Sequence, residues 1–80
     1  MEKRLSEFAP AEAGTVKLVS GDGRVRRRLF DMGITPGARI VMKKAAPLGD
    51  PIEVTVRGYE LTLRKNEAQS VVMTVAQNDA

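Results

Sequence analysis

The stretch that decides the fold is Ile52-Glu53-Val54-Thr55-Val56-Arg57-Gly58-Tyr59-Glu60-Leu61-Thr62-Leu63-Arg64. Apolar and polar residues alternate on both sides of one glycine, the period-two signature of paired, half-buried strands. Taking Gly58-Tyr59 as a two-residue turn with glycine first predicts the register. Arg57 then faces Glu60, Thr55 faces Thr62 and Glu53 faces Arg64 on the outer side. Val56 faces Leu61 and Val54 faces Leu63 on the inner side. Opposite charges, a Thr pair and apolar pairs all fall together, as stable cross-strand pairing requires. A slip of one residue would turn every leucine and valine to solvent.

Outward from this hairpin the same alternation recurs. Downstream, Lys65–Ser70 reads as a single helical turn and Val71–Val75 as a strand with Val71, Met73 and Val75 inward. Upstream lies the loop Ala45–Pro51, where Gly49 supplies a positive φ, Asp50 caps the turn and Pro51 starts the next strand. Before it, Ala38–Lys44 alternates with Ala38, Ile40 and Met42 inward, following a Thr35-Pro36-Gly37 turn. Thr15–Ser20 reads as a strand with Val16 and Leu18 on one face. Asp22 is placed to cap a helix running to about Met32, which Gly33 ends. Val25, Leu29 and Met32 form its buried stripe. One core is expected from Val16, Leu18, Val25, Leu29, Ile40, Met42, Ile52, Val54, Val56, Leu61, Leu63, Val71 and Val75. Five short strands, each with one apolar face, hide that face and their edges best by closing into a barrel. The helix after the first strand favours an SH3-like barrel over an OB-like one. Residues 1–80 are expected to form this single domain, mainly β, with one short inserted helix.

A chain of 80 residues and 8.7 kDa, 42% hydrophobic and 29% charged, is globular but short of core. It should bury roughly 60–65% of its unfolded surface. It contains no cysteine and no histidine. Disulfides, zinc fingers, Fe–S clusters, haem axial histidines and Ser-His or Cys nucleophile pairs are therefore excluded. No catalytic residues and no cofactor are expected, and no metal site. The scattered carboxylates Asp22, Asp31, Asp50, Glu53, Glu60 and Glu67 form no ligand cluster by spacing. Met32, Met42 and Met73 fall on inward faces as core. The N-terminus lacks the apolar core of a signal peptide, and no run approaches a bilayer span of about 20 residues. The chain is expected in the cytoplasm, with no direct membrane insertion.

The net charge of +3 and pI near 9.7 suit an acidic partner. Arg24, Arg26, Arg27 and Arg28 crowd the helix circumference left free by the apolar stripe, more arginine than solubility needs. A solvated face is the plain alternative. Leu48, apolar at a loop tip between prolines, offers an anchor for a partner pocket. Together these five residues are the expected partner-binding set. Gly21-Asp22-Gly23 lacks the Lys-Ser/Thr of a phosphate loop. Single-strand-binding barrels stack bases on aromatics, and only Phe8, Phe30 and Tyr59 are present, with Tyr59 alone expected at the surface. Nucleic acid is thereby disfavoured.

Three blocks carry a resemblance. They are Arg27-Arg28-Leu29-Phe30-Asp31-Met32-Gly33-Ile34-Thr35-Pro36-Gly37, then Ala46-Pro47-Leu48-Gly49-Asp50-Pro51-Ile52, then Arg57-Gly58-Tyr59-Glu60-Leu61-Thr62-Leu63-Arg64-Lys65-Asn66-Glu67-Ala68. In this order and spacing, from about Leu5 to Val75, the chain resembles the ferrous iron transport protein A (FeoA) family of small bacterial cytosolic proteins. Ala11 stands where family members often place glycine. The resemblance implies an SH3-like barrel, similar to the C-terminal domain of diphtheria-toxin-repressor-type metal regulators. It implies a non-enzymatic role on FeoB, the membrane ferrous iron transporter, through its cytosolic G-protein domain or its membrane-proximal face. Leu29, Met32, Gly33, Pro36, Gly37, Gly49, Asp50, Pro51, Gly58 and Arg64 then serve as the structural motif. Weak self-association stays open. The alternatives are a nucleic-acid-binding small barrel, or a stand-alone relative of the C-terminal domain of metal-dependent repressors.

Overall fold

A computed structural model describes residues 1–45 and 47–75; Ala46, inside the expected loop, lies outside them. The elements in order are β1 (Glu2–Arg4), a 3-10 turn (Leu5–Glu7), β2 (Ala13–Val19), α1 (Gly23–Asp31), β3 (Arg39–Ala45), β4 (Ile52–Val56), β5 (Tyr59–Leu63), α2 (Lys65–Ala68) and β6 (Val71–Val75). The strands form one antiparallel sheet in the order β1-β6-β2-β3-β4-β5, curled into an SH3-like barrel. Its interior is apolar: Leu29, Ile34, Ile40, Val54, Leu63, Val71 and Met73 are fully buried. Val25, Met32, Leu61 and Val75 pack against them half-buried. Burial at roughly 25 cal/mol per Å² of apolar surface is the main source of stability in a chain without cross-links.

The helix forms where the sequence places it. The Asp22 carboxylate accepts hydrogen bonds from the backbone N–H groups of Arg24 and Val25, both at 3.0 Å, satisfying donors that a helix start leaves open. Gly14 explains how β2 and β6 approach. A Cβ there would lie 2.6 Å from the Thr74 carbonyl oxygen, so any larger residue would push the two strands apart.

Four expectations need correction. A sixth strand exists: Glu2, Lys3 and Arg4 pair with Thr74, Met73 and Val72. Three charged residues carry no apolar alternation, and backbone pairing on a sheet edge needs none. Second, the hairpin turn is Arg57-Gly58, with φ of +52° and +85°, the two positive values that a type I′ turn demands. Tyr59 is thus the first residue of β5, and the pairs are Val56 with Tyr59, Thr55 with Glu60, Val54 with Leu61, Glu53 with Thr62 and Ile52 with Leu63. Each partner moves by two positions, so the inward set is preserved while the expected Arg57–Glu60 and Glu53–Arg64 pairs do not form. Third, Leu18 is 42% exposed and Val19 is buried, because a bulge between Val16 and Leu18 reverses the alternation. Fourth, Phe30 is 39% exposed rather than internal, while Leu5, Phe8, Ile34 and Ala68 join the core unforeseen.

Candidate functional site

Helix α1 turns Leu29 into the barrel and presents Arg24, Arg26, Arg27 and Arg28 to solvent. The four arginines do not share one fate. The Arg28 Nε atom lies 3.1 Å from Glu67 Oε2, so this guanidinium is bound into the fold. Arg26 lies over the Phe30 ring, 5.9 Å from its centroid, and borders a shallow groove with Gly23, Arg27, Phe30 and Asp31. Arg24, Arg26 and Arg27 have no carboxylate partner among the described residues. Most lysines are occupied elsewhere: Lys3 pairs with Glu12 at 2.8 Å, Lys44 with Glu53 at 3.4 Å, Lys17 with Glu2 and Lys43 with Glu60. Arg24, Arg26 and Arg27 are thus three uncompensated cations close together on α1, while Arg4, Arg39, Arg57, Arg64 and Lys65 lack a carboxylate partner elsewhere among the described residues.

Leu48 is 93% exposed. Its loop is nonetheless tied down two residues later, where the Asp50 Oδ1 atom accepts a hydrogen bond from the Lys65 backbone N–H at 2.9 Å. Lys65 opens α2, and Glu67 in the same turn grips Arg28. Four residues of helix therefore connect the leucine loop to the arginine face. Glu67 is 8% exposed, and its Oε1 atom accepts from the Arg64 backbone N–H at 2.9 Å. Arg64 contributes that N–H to the motif rather than an ion pair with Glu53. On the far side, the Thr35 hydroxyl accepts from Arg57 Nη2 at 3.2 Å, and Gly37 N–H donates to the Val16 carbonyl at 2.8 Å. These bonds hold the Thr35-Pro36-Gly37 turn between α1 and β3.

Glu67 and Phe30 are the residues that sequence reasoning missed. Glu67 had a usable signal, a glutamate three residues after Arg64, the residue that follows β5, where it can cap a helix start. The same spacing occurs at Arg4-Leu5-Ser6-Glu7, whose Glu7 Oε1 atom accepts from the Arg4 N–H at 2.9 Å. Phe30 had none, since its spacing from Leu29 fits either side of a short helix.

Among the described residues no group of three or more His, Cys, Asp or Glu could hold a metal ion, and no helix is long and apolar enough to cross a membrane. Hydrogen bonding from Lys43 holds the Glu60 carboxyl below its ordinary value and lifts the Lys43 ammonium. Glu12 is lowered likewise, by Lys3 first and the Ala9 N–H second. These are surface pairs, and nothing in them resembles an acid–base couple.

The FeoA domain pattern matches residues 3–75. A FeoA-like protein of Clostridium acetobutylicum superposes with a TM-score of 0.90 at 35% identity, covering 99% of this chain and 92% of that one. The FeoA of Stenotrophomonas maltophilia, an SH3 domain protein complexed with zinc, superposes at 0.79 with 29% identity over 90% of this chain and 89% of its own. An Fe(2+) transport protein A/Fe(2+) transporter FeoB fusion protein of Porphyromonas gingivalis is 30% identical over 96% of this chain, which spans 9% of the fusion's length. A manganese-dependent transcriptional repressor shares the fold alone, with a TM-score of 0.87 at 20% identity.

Proposed function

This chain belongs to the FeoA family, and we propose that it serves ferrous iron uptake as a non-enzymatic module docking on the cytoplasmic side of FeoB. The observation that carries this reading is the Porphyromonas gingivalis fusion, in which a relative of this whole domain shares one polypeptide with the transporter. Covalent linkage raises the effective concentration of two parts that act together. Recognition between the two parts also needs complementary surfaces. The unpaired arginines Arg24, Arg26 and Arg27 suit that need, since complementary charge raises association rates and is screened by salt. Leu48 supplies the apolar anchor that sets dissociation. Arg28 orients the helix through Glu67 and belongs to the docking face at its margin.

Binding of the full chain to its cognate FeoB in detergent, measured across a salt series, tests this. Arg26→Glu with Arg27→Glu should abolish binding at low salt and leave the melting temperature unchanged. Leu48→Ala should weaken binding roughly tenfold at every salt concentration. FeoB-dependent iron uptake that survives both changes, in cells lacking their own copy, would reduce this face to a solvated surface.

A further inference from the structure

Phe30 is the one large apolar side chain of α1 that the barrel does not take in. Leu29 is fully buried and Val25 packs half-buried against the core, whereas Phe30 is 39% exposed. It lies four residues after Arg26 and three after Arg27, so the three are neighbours on the helix surface. With Gly23 and Asp31 they line the shallow groove along that surface. The Arg26 guanidinium lies over the Phe30 ring, 5.9 Å from its centroid. A guanidinium held against an aromatic face keeps its N–H edge for a planar acceptor with two oxygens. Among the described residues, no ion pair or side-chain hydrogen bond uses the guanidinium of Arg26 or of Arg27. Asp31 stands one helical turn beyond Arg27, exposed, and the two form no ion pair.

We infer that this groove is the receptor for one acidic side chain of the partner protein, a carboxylate with an apolar residue beside it. Arg26 grips the carboxylate through two parallel N–H···O bonds, and Arg27 adds a second positive charge alongside. The apolar neighbour covers the open flank of the Phe30 ring. Phe30 is a positioning residue for Arg26: a long side chain already leaning on a ring loses less freedom when it binds. Asp31 selects the kind of acceptor. A phosphate group or a lipid surface would bring further negative charge against its carboxylate, whereas a single acidic side chain satisfies the two guanidiniums and leaves Asp31 free for a donor on the partner. The inference rests on the docking proposed above for who the partner is, and adds the chemistry that the partner must present.

Affinity of the full chain for its cognate FeoB in detergent, with Arg26→Lys and Phe30→Leu alone and combined, tests the assignment. Lysine keeps the charge and loses the planar fork; leucine keeps the apolar bulk and loses the ring. Arg26→Lys should weaken binding roughly tenfold and Phe30→Leu roughly threefold, with melting temperatures within a few degrees of the parent. The double variant should bind like Arg26→Lys alone, because the ring acts through the guanidinium. If Arg26→Lys binds like the parent while Arg26→Glu with Arg27→Glu does not bind, docking stands and the carboxylate fork is overturned. Additive losses in the double variant would overturn the role of Phe30. A parent that binds no FeoB overturns both readings. Phosphatidylserine-rich vesicles offer the other source of oxyanions. If they retain the parent at physiological salt and the same two changes release it, the groove belongs to lipid and the inference fails.

Discussion

Removing the Glu67 carboxylate should cost more than its place in a four-residue helix suggests. One oxygen accepts the Arg64 N–H at 2.9 Å, and the other lies 3.1 Å from Arg28 Nε. A hydrogen bond to a charged acceptor contributes about 1.5–3 kcal/mol when its partner is otherwise orphaned. The ion pair adds less, because the Arg28 side chain is 65% exposed and water takes over much of its share. About 0.5 kcal/mol is a fair figure for such a pair. Glu67→Ala should therefore cost about 2–3.5 kcal/mol. At about 6 °C per kcal/mol for a domain of this size, the melting temperature should fall by about 12–21 °C. Glu67→Gln keeps the oxygen that caps Arg64 and loses only the charge, so it should cost about 0.5–1 kcal/mol. Thermal melts followed by circular dichroism, with urea midpoints as a second measure, separate the two. If Gln melts as low as Ala, the cap is not what Glu67 provides. If Ala melts within about 2 °C of the parent, Glu67 does not hold the fold at all.

Val54, fully buried at the centre of β4, should cost about 1–3 kcal/mol on truncation to alanine; a melt within one degree of the parent would contradict its place in the core. Glu12 and Glu60 have folded carboxyls held below the ordinary 4.5 by Lys3 and Lys43, so their stabilisation is complete above 4.5 and is lost as pH falls through the lower folded values. Urea midpoints should accordingly drop below pH 4.5, and Glu12→Gln and Glu60→Gln should each flatten that acid limb; identical limbs in all three proteins would refute the sign. Without imidazole or thiolate, carboxylates and carbonyls hold Fe²⁺ or Zn²⁺ weakly. Anaerobic calorimetry of the monomer should detect no stoichiometric site of micromolar affinity, and finding one would sink the point.

What the sequence makes legible follows from which interactions are local. Apolar alternation placed β3, β4 and β6, and the Asp22 cap and Leu29 stripe placed α1, because each depends on near neighbours. The turn at Arg57-Gly58 was displaced by one residue, since a lone glycine fits either the first or the second turn position. Only the twist of the paired strands chooses between them. The bulge at β2 and the edge strand β1 depend on β6, far along the chain, and neither leaves a mark in its own segment. The site divides in the same way. Exposure of Leu48 and of Arg24, Arg26 and Arg27 follows from the helix period and loop position, whereas Arg28's bond to Glu67 joins residues from opposite halves of the chain.

That long-range bond bears on how the proposed docking face would work. A cluster of arginines on a short helix gains little from charge alone if the helix rocks on its barrel, because each orientation scatters the charge differently. Glu67 fixes one end of α1 through Arg28, and α2 is fixed in turn by Asp50 at Lys65. The Leu48 loop and the arginine helix are thus held by the same four residues, and in the docking proposed above the ordering cost that would otherwise fall at binding is met when the barrel folds. Perturbing α2 should then weaken docking without touching a single residue that meets the partner. Asp50→Ala breaks only the loop's bond to Lys65. It should speed dissociation from FeoB and leave the salt dependence of association intact, because the arginines remain where they were. An Asp50→Ala chain that dissociates at the parental rate would show that Leu48 docks from a free loop, and that α2 supports the barrel alone.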